Sequence, residues 1–308
     1  MSPNRLQANL SFRFRRLLSG DPNGVPPWLA VVAEGNEAGY FLPSDAPWLV
    51  HGGFGTLVGG IRALLVQALH PGTLRGVMDH SRYAEDPLGR LSGTIRWLTV
   101  TTFASKKAVA TEAGRVNRMH KRVVGNYEAS DGTSVAYRAA DPDLLLWVHI
   151  AFMESFLVAH QMFCADPVPA GTAASGADNY IAQWSVAVAP LGLATCPMSQ
   201  AELDAAIADF LNRDILRCDD RTRQVVAFLR RPPLPGATKI AYRLLFAAAV
   251  TSLRPEYRTL LGLRATPRWI IVPVTRVALR LIKLAVGPHS PIEQAARDRL
   301  ARAGVISA

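Results

Sequence analysis

Apolar residues recur at helical spacing along the chain from His51 to about Leu263, and strand-like alternation is scarce. Prolines and small polar residues interrupt this pattern and mark where helices begin and end. The predicted helices cover 55–69, a segment from Pro87 through Trp97, 111–124 with Gly125 as its C-cap, 143–163 (opened by Asp141-Pro142), 178–192, 199–213, 220–230 and 238–250. The sequence therefore predicts an all-α fold with a single helical domain.

The two ends of the chain differ from this domain. Residues 1–47 form a polar, proline-rich lead-in, 48–264 the helical domain, and 265–308 a C-terminal amphipathic basic helix and tail. In the last segment the cations Arg276, Arg280 and Lys283 form a stripe, which argues against a transmembrane span. Two interpretations stay open for it: a helix docked on the core, or a peripheral contact with a membrane.

The chain is basic, with a formal net charge of +10. Its cations are dispersed, and no zinc-finger, RNP-like or helix-turn-helix pattern accompanies them, so nucleic-acid binding is disfavoured. The three cysteines are widely spaced and odd in number, which gives neither a disulfide framework nor a CxxC metal site. Since the first twenty residues also lack the apolar core of a signal peptide, we expect a cytoplasmic protein.

Two histidines fall on helix faces that should be buried. His120 follows Val116 by four residues, and His149 shares a face with Phe152 and Phe156. Such histidines are more often hydrogen-bonded core residues than metal ligands. A non-haem iron site built from both histidines and Glu154 is disfavoured, because Glu154 lies five residues beyond His149, on roughly the opposite face.

Arg90 and Thr94 lie four residues apart on one helix face, ahead of an apolar stripe. A guanidinium in that position needs a partner, because it cannot lose its charge. The partner is either a carboxylate or an anionic ligand, and the carboxylate candidates are Glu85, Asp86 and Glu154.

Three runs of the sequence taken together resemble the MpaB-type oxygenase family, which includes the catalytic domain of the latex-clearing rubber oxygenases. They are LLVQALHPGTLRGVMDHSRYAEDPLGRLSGT (64–94), VNRMHKRVVG (116–125) and YRAADPDLLLWVHIAFMESFL (137–157). The segments APLGLATCPMS (189–199) and LRPEYRTLLGL (253–263) agree with the assignment.

The resemblance implies a globin-like helical core that holds a b-type haem. His120 matches the family's axial iron ligand, and Arg90 and Thr94 match a pair that lies beside the haem pocket and serves catalysis. His149 matches another recurrent histidine, in the pocket or just outside it. A single axial histidine would leave the opposite face of the iron open to dioxygen or peroxide.

The chain also departs from the rubber oxygenases. They carry a lysine just before the motif threonine, which can occupy the distal iron position, whereas Gly93 stands here. No acidic residue matches their proposed base, so we do not expect rubber cleavage. The expected activity is a haem-dependent oxygenase or oxidase reaction on a small apolar or isoprenoid-like substrate. The alternatives are peroxide-driven coupling or dehydrogenation, and a non-catalytic haem- or lipid-binding module.

Overall fold

The computed structural model describes residues 25–80, 87–172, 174–234, 236, 238–287 and 290–307, and for 87–92 the backbone alone. The described chain is mostly helical, which confirms the predicted all-α class. Its helices are α1 (Leu29–Ala33), α2 (Ala46–Gly52), α3 (Thr56–Gln67), α4 (Pro71–Asp79), α5 (Pro87–Phe103), α6 (Lys106–His120), α7 (Pro142–Phe163), α8 (Gly176–Trp184), α9 (Gln200–Asn212), α10 (Asp220–Arg230), α11 (Thr238–Ser252), α12 (Pro255–Leu261), α13 (Arg268–Val286) and α14 (Pro291–Arg302).

Helix α7 lies at the centre of the fold. It starts at Pro142, as the Asp-Pro pair predicts, and most of its side chains are buried. It packs chiefly against α3, and also against α2, α8, α11 and α13. Gly59 of α3 makes the closest part of the α3–α7 contact possible, because a Cβ there would lie 2.7 Å from the ring of Phe156.

The length and apolar composition of α7 would also allow it to cross a bilayer. The neighbouring helices α2 and α3 would together be long and apolar enough as well, but there is a bend of 94° between them. In α7, 72% of the 18-residue apolar stretch is buried inside the protein. A central core helix accounts for that burial without a membrane.

The predicted helix over 111–124 is present, but its predicted end at Gly125 was wrong. Helix α6 ends at His120, and a hairpin follows, in which β1 (Val124–Glu128) pairs antiparallel with β2 (Ser134–Arg138). Gly125 lies opposite Tyr137, whose ring carbons would be 3.1 Å from a Cβ at that position. The glycine therefore makes room for an aromatic ring across the hairpin.

Two helices form the C-terminal segment. Helix α13 packs on α11 and α7 through Ile271, Thr275 and Leu279. Helix α14 packs on α1 and α5, and its fully buried Arg299 donates a 2.9 Å hydrogen bond to the carbonyl oxygen of Phe103. The segment is thus docked on the core, while the predicted domain boundaries stay predictions.

Candidate functional site

His120 is the last residue of α6 and is half-buried. The helix begins after Ser105, whose hydroxyl accepts a hydrogen bond from the amide of Ala108 at 3.2 Å. Its inward stripe consists of Val109, Glu112, Ala113 and Val116. Met119 lies outside this stripe, with 39% of its surface exposed. His120 continues the stripe one turn beyond Val116, on the inward side as predicted.

A buried carboxylate holds α6 against α5. Glu112 receives hydrogen bonds from Arg96 of α5 at 3.0 Å and from Arg115 of α6 at 2.6 Å. Burial raises the pKa of Glu112, but the bonds from Arg115 and Arg96 outweigh it and leave the pKa below its usual value. The ionised Glu112 therefore fixes the helix that carries Thr94 relative to the helix that ends in His120.

Thr94 lies on the half-buried part of α5. Every residue from 93 to 99 is half-buried, whereas 100–104 are fully buried. Ile95, Trp97 and Leu98 are part of this stretch and pack on the edge of the core. Arg90 lies one turn before Thr94 on the same helix, but its side chain is outside the described residues. Its predicted partners Glu85 and Asp86 lie outside them as well.

Glu154, the third predicted partner of Arg90, is engaged elsewhere. Its carboxylate bonds Arg62 at 2.9 Å and also binds Arg254. Arg62 is fully buried and donates a further 2.8 Å hydrogen bond to Ser155. Burial raises the pKa of Glu154, but the two arginines more than offset this, so the pKa lies below its usual value. This cluster ties α3, α7 and the start of α12 together.

His149 lies in the first half of α7 and is buried. Within the described part of the chain, its Nε2 atom has no hydrogen-bond partner. Burial lowers the pKa of His149 to about 4, so the imidazole is neutral at pH 7. A buried neutral imidazole with an unengaged nitrogen has the chemistry of a ligand or of a hydrogen-bonding group for one.

The segment 185–193 joins the two histidine-bearing helices. Asn117, one turn before His120, donates a 2.9 Å hydrogen bond to the carbonyl oxygen of Pro190. Leu145, one turn before His149, is buried in a small cluster with Val188 and Leu193. The structure therefore brings the ends of α6 and α7 that carry His120 and His149 to the same short segment. Among the described residues, no three His, Cys, Asp or Glu side chains form a metal-binding group.

The sequence analysis missed a cluster of hydrogen-bonded side chains around His51. Its Nδ1 lies 2.8 Å from the hydroxyl of Thr102, and its Nε2 lies 2.8 Å from the hydroxyl of Tyr180. Because Thr102 donates to the carbonyl oxygen of Leu98, its oxygen accepts from Nδ1, and Nε2 accepts from Tyr180. No local sequence pattern could have predicted this cluster, because Thr102 and Tyr180 lie 51 and 129 residues from His51 along the sequence.

One comparison with known proteins identifies the family. The model described as "ER-bound oxygenase mpaB/B'/Rubber oxygenase, catalytic domain" matches residues 48–284. The chain belongs to this family. The match confirms the resemblance seen in the sequence and identifies an oxygenase catalytic domain. No curated protein and no solved structure matches the chain.

Proposed function

We propose that this protein is a haem b-dependent oxygenase that acts on a small apolar or isoprenoid-like organic substrate, with His120 as the axial iron ligand. The observation that carries the proposal is the family match, which covers α5, α6 and α7. The local structure at these helices supports the haem in two ways.

The first support is the state of the imidazoles. His149 is buried, neutral and unengaged at Nε2 among the described residues. An imidazole nitrogen must be unprotonated to ligate iron, and a neutral imidazole can also donate or accept a hydrogen bond. His120 reaches the same region from the end of α6, where the chain leaves the helix and its side chain is half-buried.

The second support is the apolar side of α5. Ile95, Trp97 and Leu98 keep part of their surface uncovered, although they adjoin the core. A porphyrin needs apolar side chains of this kind on its faces. The sequence adds Arg90, one turn before Thr94, whose cation would balance a haem propionate. The residues of the site therefore fit the group that the family implies.

Each residue then has a distinct task. His120 would hold the iron, and His149 would fix the orientation of groups in the pocket through Nε2. Haem, when bound, supplies an iron centre able to activate dioxygen or peroxide. Thr94 carries a hydroxyl that can donate a hydrogen bond to the oxidant, and Glu112 keeps α5 and α6 in place while this occurs.

Product analysis with labelled dioxygen tests the oxygenase reaction. The haem-supplied protein is incubated with isoprenoid and other apolar substrates under ¹⁸O₂, and with hydrogen peroxide in a parallel reaction. We expect one or two labelled oxygen atoms in the product, and no product with Thr94→Val. A product formed only with peroxide and free of label would replace this proposal with oxidative coupling or dehydrogenation.

A substitution at Gly93 tests whether haem lies beside α5. A Cβ at Gly93 meets no described atom within 4 Å, so a side chain fits there. Gly93→Lys is expected to shift the haem absorption bands, because the lysine amine would be able to ligate the iron if the haem lies beside α5. Gly93→Leu is the matched control, since it adds bulk without a ligand. Identical spectra for the two variants would place the haem elsewhere.

A further inference from the structure

Helix α13 presents two opposite apolar faces. One packs on the protein through Ile271, Thr275 and Leu279. The other points outward and carries apolar side chains with large exposed fractions: Trp269 79%, Leu284 72%, Leu281 60%, Val277 55% and Val274 48%. At 1.5 Å per residue, the outer face is about 22 Å long from Trp269 to Leu284. Single exposed apolar residues are ordinary, but a continuous row of this length indicates a binding surface.

Cations flank the outer face on one side. Arg276, Arg280 and Lys283 lie between the packed face and the outer apolar face. Helix α13 contains no Asp or Glu, and Arg268 adds a fourth positive charge at its start. An apolar row bordered by cations is the pattern of a helix that lies in the plane of an anionic membrane surface.

A cavity of about 600 Å³ adjoins the cationic flank. Arg276 and Arg280 form one wall, and the end of α7, the loop 165–168 and the start of α8 form the others. Asp166 also lines the cavity, and its carboxylate lies 3.7 Å from the amine of Lys283. Arg276 is positioned by a 2.9 Å hydrogen bond to the carbonyl oxygen of Met162. The cavity thus offers two guanidinium groups to a phosphate, and it opens beside the exposed apolar row.

We propose that the outer face of α13 docks into the interfacial layer of an anionic phospholipid bilayer, and that Arg276 and Arg280 bind a lipid phosphate in the adjoining cavity. The combination of the apolar row, the one-sided cations and the cavity favours this partner. A protein partner would require acidic groups to meet the cations. An anionic bilayer supplies both phosphate groups for the cations and an adjacent apolar layer for the exposed row. Docking on a bilayer would also bring the protein to the phase in which apolar substrates dissolve.

Vesicle co-sedimentation of the full-length protein tests the docking. The protein is mixed with vesicles of phosphatidylcholine alone and with vesicles that also contain phosphatidylserine. We expect binding to the anionic vesicles, and its loss in Leu281→Gln/Leu284→Gln, whose side chains are exposed and contribute little to folding. Emission from Trp269 should shift to shorter wavelength with anionic vesicles, and Trp269→Phe should remove this shift.

The arginines are tested separately from the net charge. At about 1 kcal/mol for each cation near an anionic surface, removing two should lower the vesicle partition coefficient about 30-fold. Arg276→Gln/Arg280→Gln is expected to show this loss. Lys107→Gln/Arg138→Gln is the control with the same change in net charge, because both residues are exposed on α6 and β2. The control should bind within about threefold of the parent.

Several outcomes would overturn the proposal. Equal loss in the two charge variants would show that binding depends on net charge alone. Equal binding to neutral and anionic vesicles would remove the role of the arginines. If no vesicle binds and Leu281→Gln/Leu284→Gln instead converts a dimer into a monomer in light scattering, the outer face is an interface between copies of the chain. The readouts require no haem, so their result is independent of the oxygenase proposal.

Discussion

Substituting Glu154 by glutamine should be unusually costly for the stability of this protein. Glu154→Gln removes the carboxylate that pairs with the fully buried Arg62 guanidinium, whose other bonded partners among the described residues are a serine and a carbonyl oxygen. Removing one partner of a buried ion pair costs about 3–5 kcal/mol, because the remaining charge cannot reach water. We expect a loss of that size in the free energy of unfolding, measured by urea denaturation at pH 7 followed by circular dichroism.

Glu112→Gln is the matched control for this prediction. Glu112 is equally buried and also faces two arginines, but Arg96 and Arg115 keep 31% and 41% of their side-chain surface exposed. Water can solvate them once the carboxylate is neutralised, so the expected cost is only about 1.5–3 kcal/mol. The pH dependence of the free energy of unfolding is a second test of the role of Glu154. The folded pKa of Glu154 is depressed, so its contribution is present above the usual pKa near 4.5 and is lost as the pH falls through the folded pKa. If Glu112→Gln proves as costly as Glu154→Gln, the reasoning from exposure is wrong.

Two further predictions concern packing and pH. Gly59→Ala should destabilise the protein by about 1–3 kcal/mol, because its Cβ would lie 2.7 Å from Phe156. Gly60→Ala, whose Cβ would meet no described atom within 4 Å, should instead be neutral or stabilising by up to about 1 kcal/mol. Thermal melts of the two variants decide this, and a lower melting temperature for both would contradict it. Burial, aided by a neighbouring histidine, lowers the pKa of His51 to about 3, and burial lowers that of His149 to about 4. Between pH 6.5 and pH 4.5 both histidines are protonated in the unfolded protein but neutral in the folded protein. The free energy of unfolding should therefore fall from pH 7 to pH 4.5, and less steeply in His51→Gln. A slope unchanged by the substitution would argue against a His51 that is neutral in the folded protein.

Local signals in the sequence were sufficient for most of the helices. The bounds of α7 followed from Asp141-Pro142 and a long apolar run, and those of α9 and α10 were predicted within one or two residues. The hairpin was missed because helical spacing continues from α6 through Val123, and each strand is only five residues long. Its turn does carry a signal, the pair Asp131-Gly132, with Gly132 at a φ of +83°.

The candidate site was predictable only through residues that share a helix. Helical spacing predicted inward positions for His120 and His149; in the structure His149 is buried and His120 is half-buried. The contacts that hold the helices carrying these histidines join residues that are distant along the sequence. Glu154 bonds Arg62 across 92 residues, and Asn117 bonds Pro190 across 73. Periodicity describes one element at a time, so it cannot specify which distant side chains meet.

The absorbance spectrum of the protein expressed with a haem precursor tests the central claim most directly. We predict a Soret band in the parent protein and its loss or a clear shift in His120→Ala. His80→Ala, at an exposed histidine hydrogen-bonded to the carbonyl oxygen of Val124, should keep the parent spectrum. Circular dichroism of each variant verifies that it has folded. A folded parent protein that shows no Soret band, even after titration with haem, would contradict the assignment of His120 as an iron ligand and of the protein as a haem oxygenase.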